Sequence, residues 1–325
     1  MRVFIAGGTG VVGQHLIPML TQAGHEVTAS TRSPGKAGLL SGLGATPVVM
    51  DGLDAGGVLT AVSQARPEVI VHQMTALSSM KSLRSFDKEF AATSRLRTAG
   101  TDNLLAAARA AGAGRFIAQG HILAQSYADP DLGEGGQGRA AGGTALPAAP
   151  AGMTEAVRAI RHVERAVSAF PGGIVLRYGN FYGAGASGNL LEPVRKRQMP
   201  IVGGGTGVWS FTHVEDVAAA TAAAVTDGAP GIYNVVDDDP APVARWLPFL
   251  ATCLGAKPPL HVPAWLGRLL AGDAIVSMMT EIRGLSNEQA KRELGWSPRY
   301  PSYRDGFPAW AGASAAQGAS HSHAA

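Results

Sequence analysis

The chain has 325 residues, 46% of them hydrophobic and 16% charged, so it can bury a full core and is too apolar for disorder. Its 27 Lys and Arg against 24 Asp and Glu leave a formal charge of +3. The densest basic cluster, Arg195, Lys196 and Arg197, falls short of the stripe a duplex requires, so no nucleic-acid partner is expected. The single Cys253 excludes an internal disulfide and a cysteine zinc cluster. No apolar run is long enough to span a bilayer and the N-terminus carries no signal-like stretch. These absences lead us to expect a cytoplasmic protein with no membrane partner.

Short β-branched runs alternate with Ala- and Leu-rich helical patterns from the first residues onward, the mark of βαβ units. Strands are predicted at Val3 to Ala6, Glu26 to Thr31, Thr46 to Met50, Val69 to His72, Arg115 to Gln119, Gly173 to Arg177 and Gly231 to Val235. Between them the period predicts helices at about 11 to 23, 55 to 65, 87 to 111, 154 to 169 and 214 to 226, each long enough for a right-handed crossover. Residues 131 to 151 have almost no side chains able to pack and read as a surface loop able to act as a lid. From Phe181 onward Gly-rich segments mix with short helices near 189 to 197, 241 to 254, 262 to 271 and 287 to 294. The fold class is α/β: a Rossmann-type, doubly wound parallel sheet with a smaller C-terminal substrate lobe. Residues 1–180 and 211–240 form the dinucleotide-binding core, 181–210 and 241–310 the lobe, and 311–325, with no apolar period, a disordered tail.

Gly7-Gly8-Thr9-Gly10-Val11-Val12-Gly13 follows an apolar strand and opens a helix. Glycines at 7, 10 and 13 permit a tight turn, close approach of the backbone to a pyrophosphate and close helix packing, while the helix N-terminus offers free N–H groups to the phosphates. The second strand ends Ala29-Ser30-Thr31-Arg32-Ser33 without the carboxylate that would bind a ribose 2′-hydroxyl; Thr31 and Arg32 suit a 2′-phosphate, which points to NADP over NAD. Asp51, followed by Gly52, is placed either to accept from an adenine amino group or to cap the next turn.

Further along the chain stand Gly100-Thr101-Asp102-Asn103, Leu176-Arg177-Tyr178-Gly179-Asn180-Phe181-Tyr182-Gly183, Phe211-Thr212-His213-Val214-Glu215-Asp216 and Glu293-Leu294-Gly295-Trp296. With the glycine run, these segments resemble the extended short-chain dehydrogenase/reductase family, of the NAD-dependent epimerase/dehydratase type, over about residues 1 to 308. The resemblance implies a nicotinamide enzyme whose chemistry rests on Ser or Thr, Tyr and Lys, with Tyr four residues before Lys. The chain departs from that pattern. No Tyr-x-x-x-Lys occurs; aligning the helix on Glu164 puts Ala156 and Ile160 in those places, and Gly120 and His121 stand where serines belong. Arg97 occupies a position where the family often has Asn.

Proton transfer is then expected from other groups: His121 at the carboxyl end of the fifth strand, with Ser126 and Tyr127 one loop turn on, or Tyr178 after the sixth strand. His213 and Asp216 read as helix-starting residues. The nine histidines lack metal-ligand spacing, so no metal is expected. Nucleotide-sugar members usually carry an Arg shortly before the Phe-x-x-Val-x-Asp segment, and Gly207 to Ser210 hold none; Trp209, Trp246, Trp265, Met278 and Met279 suggest an apolar pocket instead. The leading reading is an NADP-dependent oxidoreductase acting on the carbonyl or hydroxyl of a small apolar metabolite; a homodimer is allowed. The missing triad keeps two others open: a non-redox cyclase, dehydratase or isomerase reusing the cleft, and a non-catalytic NADP sensor.

Overall fold

The structure is a computed structural model that describes residues 1–77, 86–128, 146–186 and 188–322. Most of the Gly-rich segment at 131 to 151, and with it the expected lid, lies outside the described residues. In chain order the first part runs β1 (Arg2–Ala6), α1 (Val11–Gln22), β2 (Glu26–Thr31), α2 (Ala37–Gly42), β3 (Thr46–Val49), α3 (Ala55–Ala65), β4 (Val69–His72), α4 (Phe86–Arg95), α5 (Thr101–Ala111), β5 (Arg115–His121), α6 (Leu123–Ser126), α7 (Thr154–Ser168) and β6 (Gly173–Tyr178). The second part runs β7 (Asn180–Tyr182), α8 (Gly188–Arg195), β8 (Ile201–Val202), β9 (Val208–Trp209), β10 (Phe211–His213), α9 (Val214–Thr226), β11 (Gly231–Val235), β12 (Ala241–Pro242), α10 (Val243–Cys253), β13 (His261–Val262), α11 (Ala264–Ala271), α12 (Asp273–Thr280), α13 (Glu288–Leu294) and α14 (Tyr303–Ser322).

Seven parallel strands form one sheet in the order β11-β6-β5-β4-β1-β2-β3. Strand order reverses between β1 and β4, and the carboxyl ends of strands flanking such a switch point open the crevice where α/β sheets bind ligands. Pro47 is tolerated in β3 because β3 is the edge strand. The period of two in β1 sends Val3 and Ile5 to a core shared with α1 and α9, and Phe4 and Ala6 to a second core under α3, α5 and α7. A third core belongs to the C-terminal lobe, where Trp209, Phe211, Trp246, Tyr303 and Phe307 pack together.

Three elements differ from expectation. The helix foreseen over 87 to 111 is interrupted by a π-helical turn at Leu96–Gly100, in which Arg97 is buried. Residues of α13 and its flank, Ala290, Leu294 and Trp296, pack on the sheet beside α9 rather than in the lobe. The backbone remains helical to Ser322 where disorder is expected from 311; Phe307, Trp310 and Ala311 seat the first turns in the lobe, and alanine is a strong helix former beyond them.

Candidate active site at the carboxyl edge of the sheet

The glycine run forms the turn between β1 and α1. Gly7 has φ +94°, and a Cβ there would stand 3.0 Å from the Gln73 backbone just past β4. A Cβ on Gly13 would be 2.4 Å from the Gly8 carbonyl oxygen, so only hydrogen lets the first turn of α1 press against the loop. Gly10 caps α1 without a side-chain bond, and its N–H donates to the Gly7 carbonyl. The first intrahelical bond runs from the Gln14 N–H to Gly10, which leaves the N–H groups of Val11, Val12 and Gly13 at the helix end without intrahelical acceptors. Thr9 sits half-buried in the same turn, and its carbonyl accepts from the Gln14 side chain. These residues fit a dinucleotide pyrophosphate: a Cβ would fill the cradle, and the N–H groups left without intrahelical acceptors complement the charge.

The ends of β2 and β3 adjoin this turn. Ser30 accepts from the Gly7 and Gly8 N–H groups through its hydroxyl and carbonyl. Thr31 is buried, with its hydroxyl accepting from the Ser33 N–H at 3.2 Å. Arg32 is exposed and in none of the ion pairs among the described residues, so its guanidinium remains available to an anion. Asp51 accepts from the Leu53 N–H at 3.0 Å and caps its turn, the second of its two expected roles. Gly52 lies buried against Met74, and its carbonyl takes the Asn103 amide at 3.0 Å.

At β5 and β6 the structure brings His121 and Tyr178 together as neighbours in register. Tyr178 is fully buried, and the Gln73 amide donates to its hydroxyl at 2.8 Å. Because the Thr221 hydroxyl donates to the Val217 carbonyl, Tyr178 donates its own proton to Thr221 at 2.7 Å. Burial pushes this phenol up to about 12. The His121 Nδ1 accepts from the Leu123 N–H at 3.2 Å, and burial, helped by the nearby Arg97 charge, depresses the ring to about 3. An imidazole so held is neutral near pH 7 and offers an Nε2–H as a hydrogen-bond donor, but not an acidic proton. Tyr127 is separated from the pair: fully buried in the lobe core, it donates to Ser277, which donates to Glu281, and burial raises it to about 12. Neighbouring Ser126 is buried as well.

The places of the usual acid and cation are apolar. Ala156 and Ile160 on α7 are buried in the lobe core beside Leu123 and Tyr127. A side chain on Gly120 would meet Val175 at 2.8 Å, so serine does not fit without a shift. Farther along α7, Glu164 binds Arg177 in β6 through two bonds, at 2.5 and 2.9 Å, and Arg161 joins Glu164 to the Tyr127 carbonyl. That network locks the helix to the strand.

Sequence reasoning missed His72 and Gln73 as site residues and noted Arg97 only as a departure. His72 ends β4, meets the Thr101 hydroxyl at 3.0 Å and takes the Met74 N–H on Nδ1. Burial lowers it to about 4. Arg97 is 2% exposed, and neither Nη atom has a hydrogen-bond partner. A strand-end position at the switch point was the available signal for His72 and Gln73. None in the sequence told that Arg97 faces inward, because that depends on the π-helical turn.

The expected apolar pocket residues disperse. Trp209, Trp246 and Met279 fill the lobe core, while Trp265 is 66% exposed on α11. His213 caps α9 through Nδ1, and Asp216 accepts from the Arg299 and Tyr300 N–H groups, so both serve the structure. Among the described residues no cluster of metal-ligating side chains occurs, and no helix is long and apolar enough to cross a membrane.

The sequence model of the NAD dependent epimerase/dehydratase family matches residues 3–235. The chain belongs to that family. Within it, the chain is 43% identical over 314 residues to a 3-diazoavenalumate denitrifying reductase of a Streptomyces species, covering 94% of this chain and 99% of that one. A ketoreductase of Stigmatella aurantiaca that acts on 4-hydroxy-2-methyl-3-oxo-4-farnesyl-3,4-dihydroquinoline-1-oxide is 26% identical over 326 residues, covering 92% of each chain. Among solved structures, a Thermotoga maritima UDP-glucose 4-epimerase with UDP-glucose superposes with a TM-score of 0.68 at 22% identity, over 96% of this chain and 97% of the other. A human epimerase family protein with NADPH gives 0.68 at 19%, over 96% and 99%. These family likenesses carry the fold, and the reductase relatives make the chain an oxidoreductase of the extended short-chain type.

Proposed function

We propose that this family member is an NADPH-dependent reductase that replaces the diazo group of an arenediazonium acid by hydrogen. The observation that carries the reading is the loss of every ready proton donor where the family keeps its acid: Gly120, Ala156 and Ile160 are apolar, His121 is neutral, and the Tyr178 hydroxyl, its pKa raised by burial, donates its hydrogen bond to Thr221. A ketone that accepts hydride becomes an alkoxide and needs such an acid, typically worth about a hundredfold to ten-thousandfold in rate. A diazonium does not. Its terminal nitrogen accepts hydride to give a neutral diazene, C–N=N–H, which loses N2 as its hydrogen passes to carbon. One hydride enters and one N2 leaves, with no oxygen to protonate. The relative named as a diazo-acid reductase supports this choice, and the carbonyl reductases are its more distant relatives.

The glycine turn would hold a reduced nicotinamide dinucleotide, which when bound would supply the hydride. The chain's own part is to hold and exclude: Gly7, Thr9, Gly10, Val11, Val12 and Gly13 receive the pyrophosphate, and Thr31, Arg32, Asp51 and Gly52 border the adenosine end. Ala156 and Ile160 keep water from the reacting edge, and His121 offers one neutral N–H donor. Arg32, with no carboxylate beside it at the end of β2, favours the 2′-phosphate of NADPH.

The purified protein, given NADPH and a diazotised aminohydroxybenzoate whose diazo group carries heavy nitrogen, should release heavy N2 in step with nicotinamide oxidation. Arg32→Ala should raise the KM for NADPH at least tenfold and leave NADH nearly unchanged. Turnover of ketones but not of the diazonium acid would sink the reading, and equal use of NADH would sink the cofactor preference.

A further inference from the structure

The charge that the family places on its catalytic helix is absent from α7, yet a cation stands nearby on another element. The π-helical turn Leu96–Gly100 packs against α7, the helix that carries Ala156 and Ile160. A turn of this kind adds a residue to the helix and is common at functional sites; here it accompanies an Arg97 whose side chain is buried. Both Nη atoms are shielded from solvent without an acceptor. Among the described residues Arg97 belongs to no ion pair, and burial alone lowers its guanidinium, to about 10. Thr101, directly after the turn, meets His72 at 3.0 Å at the end of β4, which sets the turn beside the switch point, and the Arg97 charge helps to lower both His72 and His121 at the ends of β4 and β5. A buried guanidinium without a counter-ion is destabilising by several kcal/mol, and His72 and His121, both neutral, do nothing to offset it. The two Nη atoms together are a fork suited to a planar oxyanion.

We propose that Arg97 receives an anionic oxygen of the substrate, a carboxylate or a phenolate, and so supplies from the π-helical turn the charge that α7 has lost. That this oxygen belongs to a diazonium acid rests on the function proposed above; that Arg97 holds an oxyanion does not. In an arenediazonium with a conjugated oxyanion, the negative charge feeds into the ring and quiets the diazo group. Pairing that oxygen with Arg97 withdraws the charge and leaves the terminal nitrogen open to hydride.

The test is equilibrium binding in the presence of NADP, with cinnamate, methyl cinnamate and 4-nitrophenolate as probes. Wild type should bind cinnamate or 4-nitrophenolate, whichever presents the oxygen that Arg97 takes, and should bind methyl cinnamate weakly. Arg97→Asn, the residue the family often has there, should bind the preferred anion at least thirtyfold more weakly, as expected when one partner of a buried charge pair is removed. Arg97→Lys should restore part of the affinity, and NADP affinity should stay within twofold throughout. Without ligand, Arg97→Asn should melt at a higher temperature than wild type, because it removes an unpaired buried charge; a merely structural arginine would give the reverse. Unchanged anion binding in Arg97→Asn, no anion binding by wild type, or a lower melting temperature would overturn the proposal. Arg97-dependent anion binding without N2 release from any diazonium acid would instead overturn the proposed reaction and leave the anion site standing.

Discussion

A single hydrogen atom decides the cofactor end. A methyl group on Gly13 would lie 2.4 Å from the Gly8 carbonyl oxygen, well inside van der Waals contact, and backbone cannot yield as a flexible side chain does. Gly13→Ala should therefore displace the first turn of α1 and misalign the N–H groups of Val11 and Val12. Cofactor affinity is expected to fall at least tenfold, checked by quenching of tryptophan fluorescence on titration with NADPH, while the far-ultraviolet circular dichroism stays native. Affinity equal to wild type would mean that the turn is not the pyrophosphate cradle. At the reacting end His121 reads differently. With its ring depressed to about 3, its protonation does not change between pH 5 and 9, so it should contribute no inflection to kcat in that range. An inflection near pH 6.5 that vanishes in His121→Gln would assign it an acid–base role after all.

At the scale of elements, α7 has exchanged a catalytic face for a packing face. Ala156 and Ile160 sit one turn apart and are at most 1% exposed, in the lobe core with Leu123, Tyr127 and Met153. Reinstating the family's lysine by Ile160→Lys would bury an ammonium whose neighbouring carboxylate, Glu164, is already held by Arg177 and Arg161, and should destabilise the fold by about 3 kcal/mol or more, read as a lower denaturant midpoint, without a gain in ketone reduction. The sequence already carried the strands and helices of the sheet, since apolar runs and 3.6-residue periods survive in any context, and β2, β4 and β11 match the predicted bounds residue for residue. The glycine turn was equally legible, because its spacing states its geometry. The lobe was less so: β7 to β10, β12 and β13 are two or three residues long, too short for a period to register. Tyr127 and Tyr178 looked like free phenols until Ser277 and Thr221, 150 and 43 residues away in the chain, proved to be their partners.

At the scale of the whole molecule, the three groups shifted furthest in the acid-to-neutral range, two histidines and an aspartate, each tie stability to pH. His72 and His121 are held at about 4 and about 3, below the ordinary histidine value of 6.5, chiefly by burial. Between roughly pH 4 and 6.5 the unfolded chain takes up protons that the fold refuses, so their contribution is fully present above pH 6.5 and is lost as pH falls. Asp237, 2% exposed after β11, is raised from 3.8 to about 8 by burial first and the charge of Asp239 second. Its sign is opposite. From about pH 4 to 8 the unfolded chain releases a proton that the fold keeps, so stability falls as pH rises. Two groups gain with pH below 6.5 and one loses, and above 6.5 only the loss remains, so these three groups place the stability maximum near pH 6.5. Asp237→Asn replaces the carboxyl with a neutral group of the same shape and removes the falling limb. The variant should differ little from wild type at pH 4 and be more stable at pH 8, by up to a few kcal/mol, since each pKa unit is worth about 1.4 kcal/mol. Urea denaturation at the two pH values measures the gap, and a gap of equal size at both would show that Asp237 is ionised in the fold.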